Sequence, residues 1–145
     1  MTDGTCVFCA IVRGQEAASI VYEDETVVAF MDRFPVTRGH LLVVPRAHAV
    51  GLEDLDAVDG VRVWETGREL ARALRRSGIP CDGINLLLCD GEAANQSVFH
   101  VHLHVIPRSV GDGWSDLTHH APERERALLD ADSEVIRRAL AMDCG

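Results

Sequence analysis

The sequence predicts an α+β fold built on an antiparallel sheet. Three observations lead there: β-branched and apolar runs dominate, adjacent runs are joined by short loops, and amphipathic stretches of helical period occur once between strands and once at the end. Residues 20–31 read as two strands turning at Glu23-Asp24-Glu25. Residues 40–45 form a continuous apolar run ending in Pro45, the pattern of a buried strand. Asp59 is placed to cap a helix over about 60–77, where Val63, Trp64, Gly67, Leu70, Ala71 and Leu74 recur at helical spacing and Gly78 ends it. Residues 84–89 read as a strand, followed by a turn-rich loop and a strand over 98–106. A last helix over about 123–141 sets Leu128, Leu129, Val135, Ile136 and Leu140 on one side.

With 145 residues, 47% hydrophobic and 26% charged, the chain can bury a core without disulfide staples. No repeat, low-complexity run or linker divides it, so the expectation is a single domain over 1–145. No stretch approaches the roughly 20 apolar residues that cross a bilayer, and the N-terminus lacks the basic start of a signal peptide. The expectation is therefore a cytoplasmic protein without a membrane partner. A net charge of −9 argues against a general nucleic-acid surface. It leaves room for a small anion, which a few backbone N–H groups can hold. The five cysteines, Cys6, Cys9, Cys81, Cys89 and Cys144, are expected to be thiols or metal ligands.

The segment richest in chemistry is Val98-Phe99-His100-Val101-His102-Leu103-His104-Val105-Ile106-Pro107. In a strand, alternate residues share a face, so the three imidazoles would line one side while Val101, Leu103 and Val105 enter the core. Neighbouring imidazoles would start about 6.5–7 Å apart. Two of them could converge on zinc, but three span about 13 Å and cannot share one ion. The competing reading is a nucleophile: the central imidazole attacks while its neighbours hold the electrophile's oxygens. The loop just upstream, with Gly91, Asn95, Gln96 and Ser97, suits phosphate binding.

The order His-apolar-His-apolar-His-apolar-apolar resembles the histidine triad family, and the resemblance runs from residue 6 to 108. It includes Cys6-Val-Phe-Cys9 with Gly14, Tyr22-Glu23-Asp24 through Ala29-Phe30-Met31-Asp32, and Gly39-His40 through Pro45 to His48. It continues in Gly83, Asn85, Gly91, Asn95-Gln96-Ser97 and Pro107-Arg108. The resemblance implies a HIT-like fold, an antiparallel sheet of about five strands with two main helices, in a homodimer. It also implies hydrolysis or transfer of nucleoside monophosphate groups, with a purine nucleotide as partner and no catalytic metal. His102 would then be the nucleophile and His104 the donor to the α-phosphate, with His100 and His40 as orienting partners. Asp32 matches the residue that holds ribose hydroxyls, although a turn role before Arg33-Phe34-Pro35 explains it too. Ser97 matches the hydroxyl near the leaving group and Gln96 the neighbouring amide, while Phe8, Ile11, Phe30 and Leu41 would wall the base. Two positions depart from the pattern. Cys89 stands where Asn or Gln is expected to contact the substrate, and a thiol is a poor donor. Asn95 replaces a glycine, which Asn can do because it tolerates left-handed backbone.

Cys6-x-x-Cys9 has three readings: a redox pair, two buried thiols, or half of a structural zinc site completed by His48 and His100. Some family members carry such a zinc beside the triad. Three functions thus compete: a hydrolase of nucleoside phosphoramidates or dinucleoside polyphosphates, a slow-turnover nucleotide-binding module acting through partners, and a metal-dependent hydrolase using two triad histidines. The last lacks carboxylates close to its histidines in sequence.

Overall fold

The computed structural model describes residues 3–114 and 121–142. Cys144 lies outside them. Five strands, β1 (Ile20–Glu23), β2 (Val27–Met31), β3 (Leu41–Pro45), β4 (Gly83–Leu88) and β5 (Leu103–Arg108), form one sheet in the order β1-β2-β3-β5-β4. Every pairing is antiparallel. Two long helices, α2 (Ala57–Arg76) and α3 (Arg126–Ala141), accompany it, as an α+β chain requires. A third, short helix, α1 (Val7–Val12), escaped the sequence reading because six residues show too little period to register.

Helices α2 and α3 cover one face of the sheet, where Leu70, Leu74, Leu129 and Ile136 pack on Val27, Ala29, Leu41, Val43 and Val105. Helix α1 lies on the other face, where Phe8 joins Val28, Phe30, Leu42 and Val44. Strands β2 and β3 are thus buried on both sides along their full length. That explains why residues 40–45 are continuously apolar: a strand covered on both faces has no solvent side to mark with polar residues.

Several expected boundaries shift. Asp56, not Asp59, caps α2, its carboxylate accepting from the N–H groups of Val58 and Asp59. Asp59 falls in the first turn, where its charge suits the helix dipole. Trp64 is 56% exposed rather than packed, because the buried stripe runs through Val63, Gly67, Leu70 and Leu74. Gly67 belongs there for lack of a side chain: a Cβ would stand 2.5 Å from Leu103 Cδ2, so the helix can approach β5 closely. Leu128 likewise faces outward from α3, while Leu129 and Ile136 carry the packing.

Strand β5 begins at Leu103, five residues later than expected. Its register with β3 covers only Val43↔Leu103, Leu42↔His104 and Leu41↔Val105. Upstream, Val101 N–H donates to Ala49 O at 2.8 Å, so residues 98–102 follow the loop after β3 instead of the sheet. Pro45 ends β3 without an N–H to continue the ladder.

The loop between β2 and β3 carries Asp32 and His40, and α3 holds it in place. Asp132 of α3 is buried and accepts from Arg38 Nε at 2.8 Å and Arg124 Nε at 2.9 Å. Removing that carboxylate leaves two guanidinium groups without their shared partner, although both can reach solvent. Asp132→Ala is expected to cost about 1–3 kcal/mol of folding free energy. Urea unfolding checks this, and a change below about 0.5 kcal/mol, the range of ordinary surface substitutions, would show that the loop does not depend on Asp132.

Candidate functional site

Two cavities meet at the histidines. The larger, about 770 Å³, is lined by Asp32, His40, Cys89, Ser97, His104 and Trp114 among others. The smaller, about 410 Å³, is walled by Val7, Phe8, Ile11, Phe30, Leu42 and Val98, and reaches His102 and His104. Asp32, Phe34, Ser97 and His104 face both.

Hydrogen-bond partners fix each imidazole's tautomer, because a carbonyl can only accept and a backbone N–H can only donate. His102 Nδ1 lies 2.7 Å from the His100 carbonyl and so carries the hydrogen, which leaves a lone pair on Nε2. Burial pushes the His102 pKa down, against that carbonyl and the Asp32 charge, so its ring is held in the neutral form. His40 Nδ1 accepts from Val36 N–H at 3.1 Å, which puts the ring hydrogen on Nε2. That Nε2–H stands 2.9 Å from His104 Nδ1 and 3.4 Å from Asp32 Oδ2. His104 therefore accepts at Nδ1 and keeps its own hydrogen on Nε2. Burial pushes both rings down to about 3, and each is further opposed by charging of its imidazole neighbours. Asp32, His40 and His104 bring three donor atoms within 4.8 Å of one another. With Nε2 of His40 protonated, they form a hydrogen-bond relay rather than a ligand set.

Asp32 fills the turn role, its Oδ1 accepting from Phe34 N–H at 2.8 Å, and its carboxyl is also placed on the cavities. Burial raises its pKa, opposed by the Phe34 N–H and by the charges of His104 and His102.

The third histidine points elsewhere. His100 lines neither cavity: it is fully buried, with Nδ1 3.5 Å from both Cys6 Sγ and Cys9 Sγ. The expectation of three imidazoles on one strand face fails because residues 98–102 leave the sheet. Its Nε2 donates to Pro45 O at 2.8 Å, so the Nδ1 lone pair faces the thiols. His48 Nδ1 completes the group at 3.2 Å from Cys9 Sγ, and Nε2 of that ring is buried with no hydrogen-bond partner. All four donor atoms lie within 4.8 Å of one another. A tetrahedral zinc with ordinary Zn–S and Zn–N lengths has S···N edges of about 3.5 Å. The donor set, the tautomer of His100 and these spacings all fit a structural zinc.

Other expected residues divide. Phe8, Ile11 and Phe30 wall the smaller cavity, and Phe8 stands edge-on to the His102 ring with centroids 5.1 Å apart. Leu41 does not: it is buried against α2 on the opposite face, and Leu42, its neighbour in the alternation, takes the wall. Gln96 borders the larger cavity, yet its amide is spent on the loop. Oε1 accepts from Gly91 N–H, and Nε2 donates to the Val50 and Val98 carbonyls. Asn95 adopts the left-handed conformation expected of it, at φ 67°. Cys89 is buried in the wall of the larger cavity, and burial raises its thiol pKa. The cavity residues missed in sequence include Val7, Leu42, Phe34, Trp114, Glu16 and Arg126. Only Leu42 had a usable signal, strand parity.

Comparison with known proteins agrees with this geometry. Residues 13–111 match the family profile described as the HIT domain. A HIT-like protein of Mycobacterium tuberculosis is 40% identical over 140 residues, covering 94% of this chain and 93% of its own. The Zn-bound crystal structure of a histidine triad family protein from Mycobacterium smegmatis superposes with a TM-score of 0.86 at 41% identity, covering 97% of this chain and 96% of that one. A histidine triad nucleotide-binding protein from Sulfolobus tokodaii superposes with a TM-score of 0.84 at 28% identity, covering 94% and 93%. The paired cavities and tautomer-locked imidazoles are thus set in a chain that belongs to the histidine triad family.

Proposed function

We propose that this protein hydrolyses or transfers a nucleotidyl group, acting at the α-phosphorus of a purine nucleoside phosphoramidate or dinucleoside polyphosphate. The observation that carries the reading is the 2.7 Å contact from His102 Nδ1 to the His100 carbonyl, which leaves Nε2 unprotonated beside the cavities. That lone pair attacks phosphorus, forming an N–P bond as the bond to the leaving group breaks. The leaving group departs with the bonding pair and takes up a proton from solvent, with the Ser97 hydroxyl as its polar neighbour. Water then attacks phosphorus and gives up a proton to solvent, the N–P bond breaks with its electron pair returning to Nε2, the nucleoside monophosphate leaves, and His102 returns neutral. His104 Nε2–H donates to a phosphoryl oxygen, and the His40 relay keeps that hydrogen in place. Asp32 Oδ2 accepts from a ribose hydroxyl, and Phe8, Ile11, Phe30 and Leu42 enclose the base.

Zinc on Cys6, Cys9, His48 and His100 supplies structural cross-linking and no catalytic step. A homodimer in the cytoplasm completes the proposal; the unpaired edge of β4 and the exposed Val58, Val61 and Trp64 of α2 are surfaces that a second copy can cover. Slow turnover with retained nucleotide binding is the second reading, favoured by the buried Cys89 thiol in the cavity wall.

Three measurements test this. His102→Ala should lower kcat by roughly a thousandfold or more while leaving the affinity for a nucleoside monophosphate nearly unchanged. Activity within tenfold of wild type would remove the nucleophile. Protein prepared with zinc and without chelator should contain about one zinc per chain, and chelation should lower its midpoint of thermal unfolding. Metal-free protein of unaltered stability would reduce the cluster to buried thiols.

The third measurement is the pH dependence of stability. His40 and His104 titrate at about 3 in the fold, against about 6.5 in the unfolded chain. Between these values the unfolded chain binds more protons, so stability rises with pH up to about 6.5 and then levels off. The slope between about pH 4 and 6 should be shallower in His40→Gln by up to about 1.4 kcal/mol per pH unit. Equal slopes would mean that His40 is charged in the fold.

A further inference from the structure

Three charged residues that the mechanism does not use line the smaller cavity: Arg33, which is paired with Glu123 at 2.6 Å, and Glu16 and Arg126, for which no ion pair is seen among the described residues. Glu16 lies between α1 and β1, Arg126 opens α3, and both line the cavity at its rim. Glu16 is exposed; its backbone N–H donates to Ala10 O at 3.3 Å, and its carboxylate makes no hydrogen bond or ion pair among the described residues. Arg126 is positioned but not neutralised. Its Nη1 donates to Ser19 Oγ at 3.0 Å, and that hydroxyl donates to Asp130 Oδ1 at 2.6 Å. The bond to Ser19 is the one hydrogen bond of the guanidinium among the described residues, and the residue lines the cavity. Between this rim and His102 the walls are apolar, with Phe8, Ile11 and Phe30 on them. A flat ring seated between those walls, with its sugar toward Asp32, would have an acceptor, Glu16, and a donor, Arg126, among the remaining lining residues.

We propose that Glu16 and Arg126 read that edge and select guanine over adenine. This rests on the nucleotide reading above and deepens it. Guanine presents an O6 acceptor beside N1–H and N2–H donors, the complement of a guanidinium beside a carboxylate. Adenine presents the reverse order, an N6–H donor beside the N1 acceptor, so Arg126 meets a donor and Glu16 meets a lone pair. The two charges therefore reward one purine and oppose the other. At a solvent-accessible rim the discrimination is about tenfold, the low end for a paired base contact.

The test uses the zinc-loaded full chain and calorimetric titration with GMP, IMP and AMP. Wild type should bind GMP about tenfold more tightly than AMP, with IMP between them because it keeps O6 and N1–H but lacks the amino group. Glu16→Ala, at an exposed position, should weaken GMP binding and modestly strengthen AMP binding, so that most of the GMP advantage is lost. Arg126→Ala should narrow the ratio as well. Equal affinities in the wild type, or an AMP preference, overturn the proposal, as does an equal loss of GMP and AMP affinity in Arg126→Ala, which would make it a phosphate contact. Failure to bind any of the three overturns the nucleotide reading and this inference with it.

Discussion

The 2.7 Å contact between His102 Nδ1 and the His100 carbonyl decides which nitrogen of His102 keeps a lone pair, and so which one the proposed chemistry can use. A backbone carbonyl is an unusually firm way to make that choice, because it has no protonation state of its own and moves only with the main chain. The same residue is fixed at two further points: its imidazole Nε2 holds Pro45 O at 2.8 Å, and Nδ1 faces the two thiols. Departure of residues 98–102 from the sheet makes this possible. Had the strand run straight, the His100 ring would have shared a face with His102. Instead the bend sends the ring to the cysteines and turns the carbonyl to the neighbour. A break in the β-ladder is thus the feature on which the proposed chemistry depends.

With a net charge of −9, the chain would have to receive the proposed phosphate without a general positive field. The histidines answer this by neutrality. Burial keeps His40 and His104 uncharged well below neutral pH, so what faces the cavity is an N–H dipole aligned by a relay. The relay runs from Val36 N–H through both rings of His40 and His104, each bond fixing the next. Oriented dipoles of this kind stabilise charge that develops during reaction without a cost of reorganisation. Neutral imidazoles also avoid repelling one another, since His40 and His104 are only 2.9 Å apart between ring nitrogens.

Much of this arrangement was legible in sequence wherever local pattern and geometry coincide. The strand at 40–45, the long helix before Gly78 and the left-handed tolerance of Asn95 all follow from neighbours a few residues away, whereas the alternation of the histidines does not place them on one face, because residues 98–102 leave the sheet. Failures occurred where a distant partner decides. Trp64 has the spacing of a core residue, but the sheet meets α2 through Val63 and Gly67, so the indole faces out. Leu41 and Leu42 are chemically the same, and only the register with Phe30 assigns Leu42 to the cavity. Gln96 carries the amide expected of a ligand contact, yet its partners come from the loop after β3 and from its own loop, which spacing does not reveal. Arg126 and Glu16 are separated by more than a hundred residues, and nothing local marks either one.

Helix α1 joins the two halves of the site. With only six residues it cannot be stable by itself, since a short helix does not recover the cost of its first turn. Cys6 caps it, with Cys9 N–H directed to its sulfur at 3.4 Å, and both thiols turn toward His48 and His100. The faces between them carry Val7, Phe8 and Ile11 into the wall of the smaller cavity. Phe8 touches His100 and His102 edge-on at 6.0 and 5.1 Å between centroids, so one aromatic ring spans the thiol cluster and the proposed nucleophile. The two thiols of the Cys/His cluster and the side chains that wall the smaller cavity are therefore interleaved on one turn and a half of helix. A cross-link at the cysteines orders the apolar wall at no further entropic cost, because the backbone that would have to be fixed is the same.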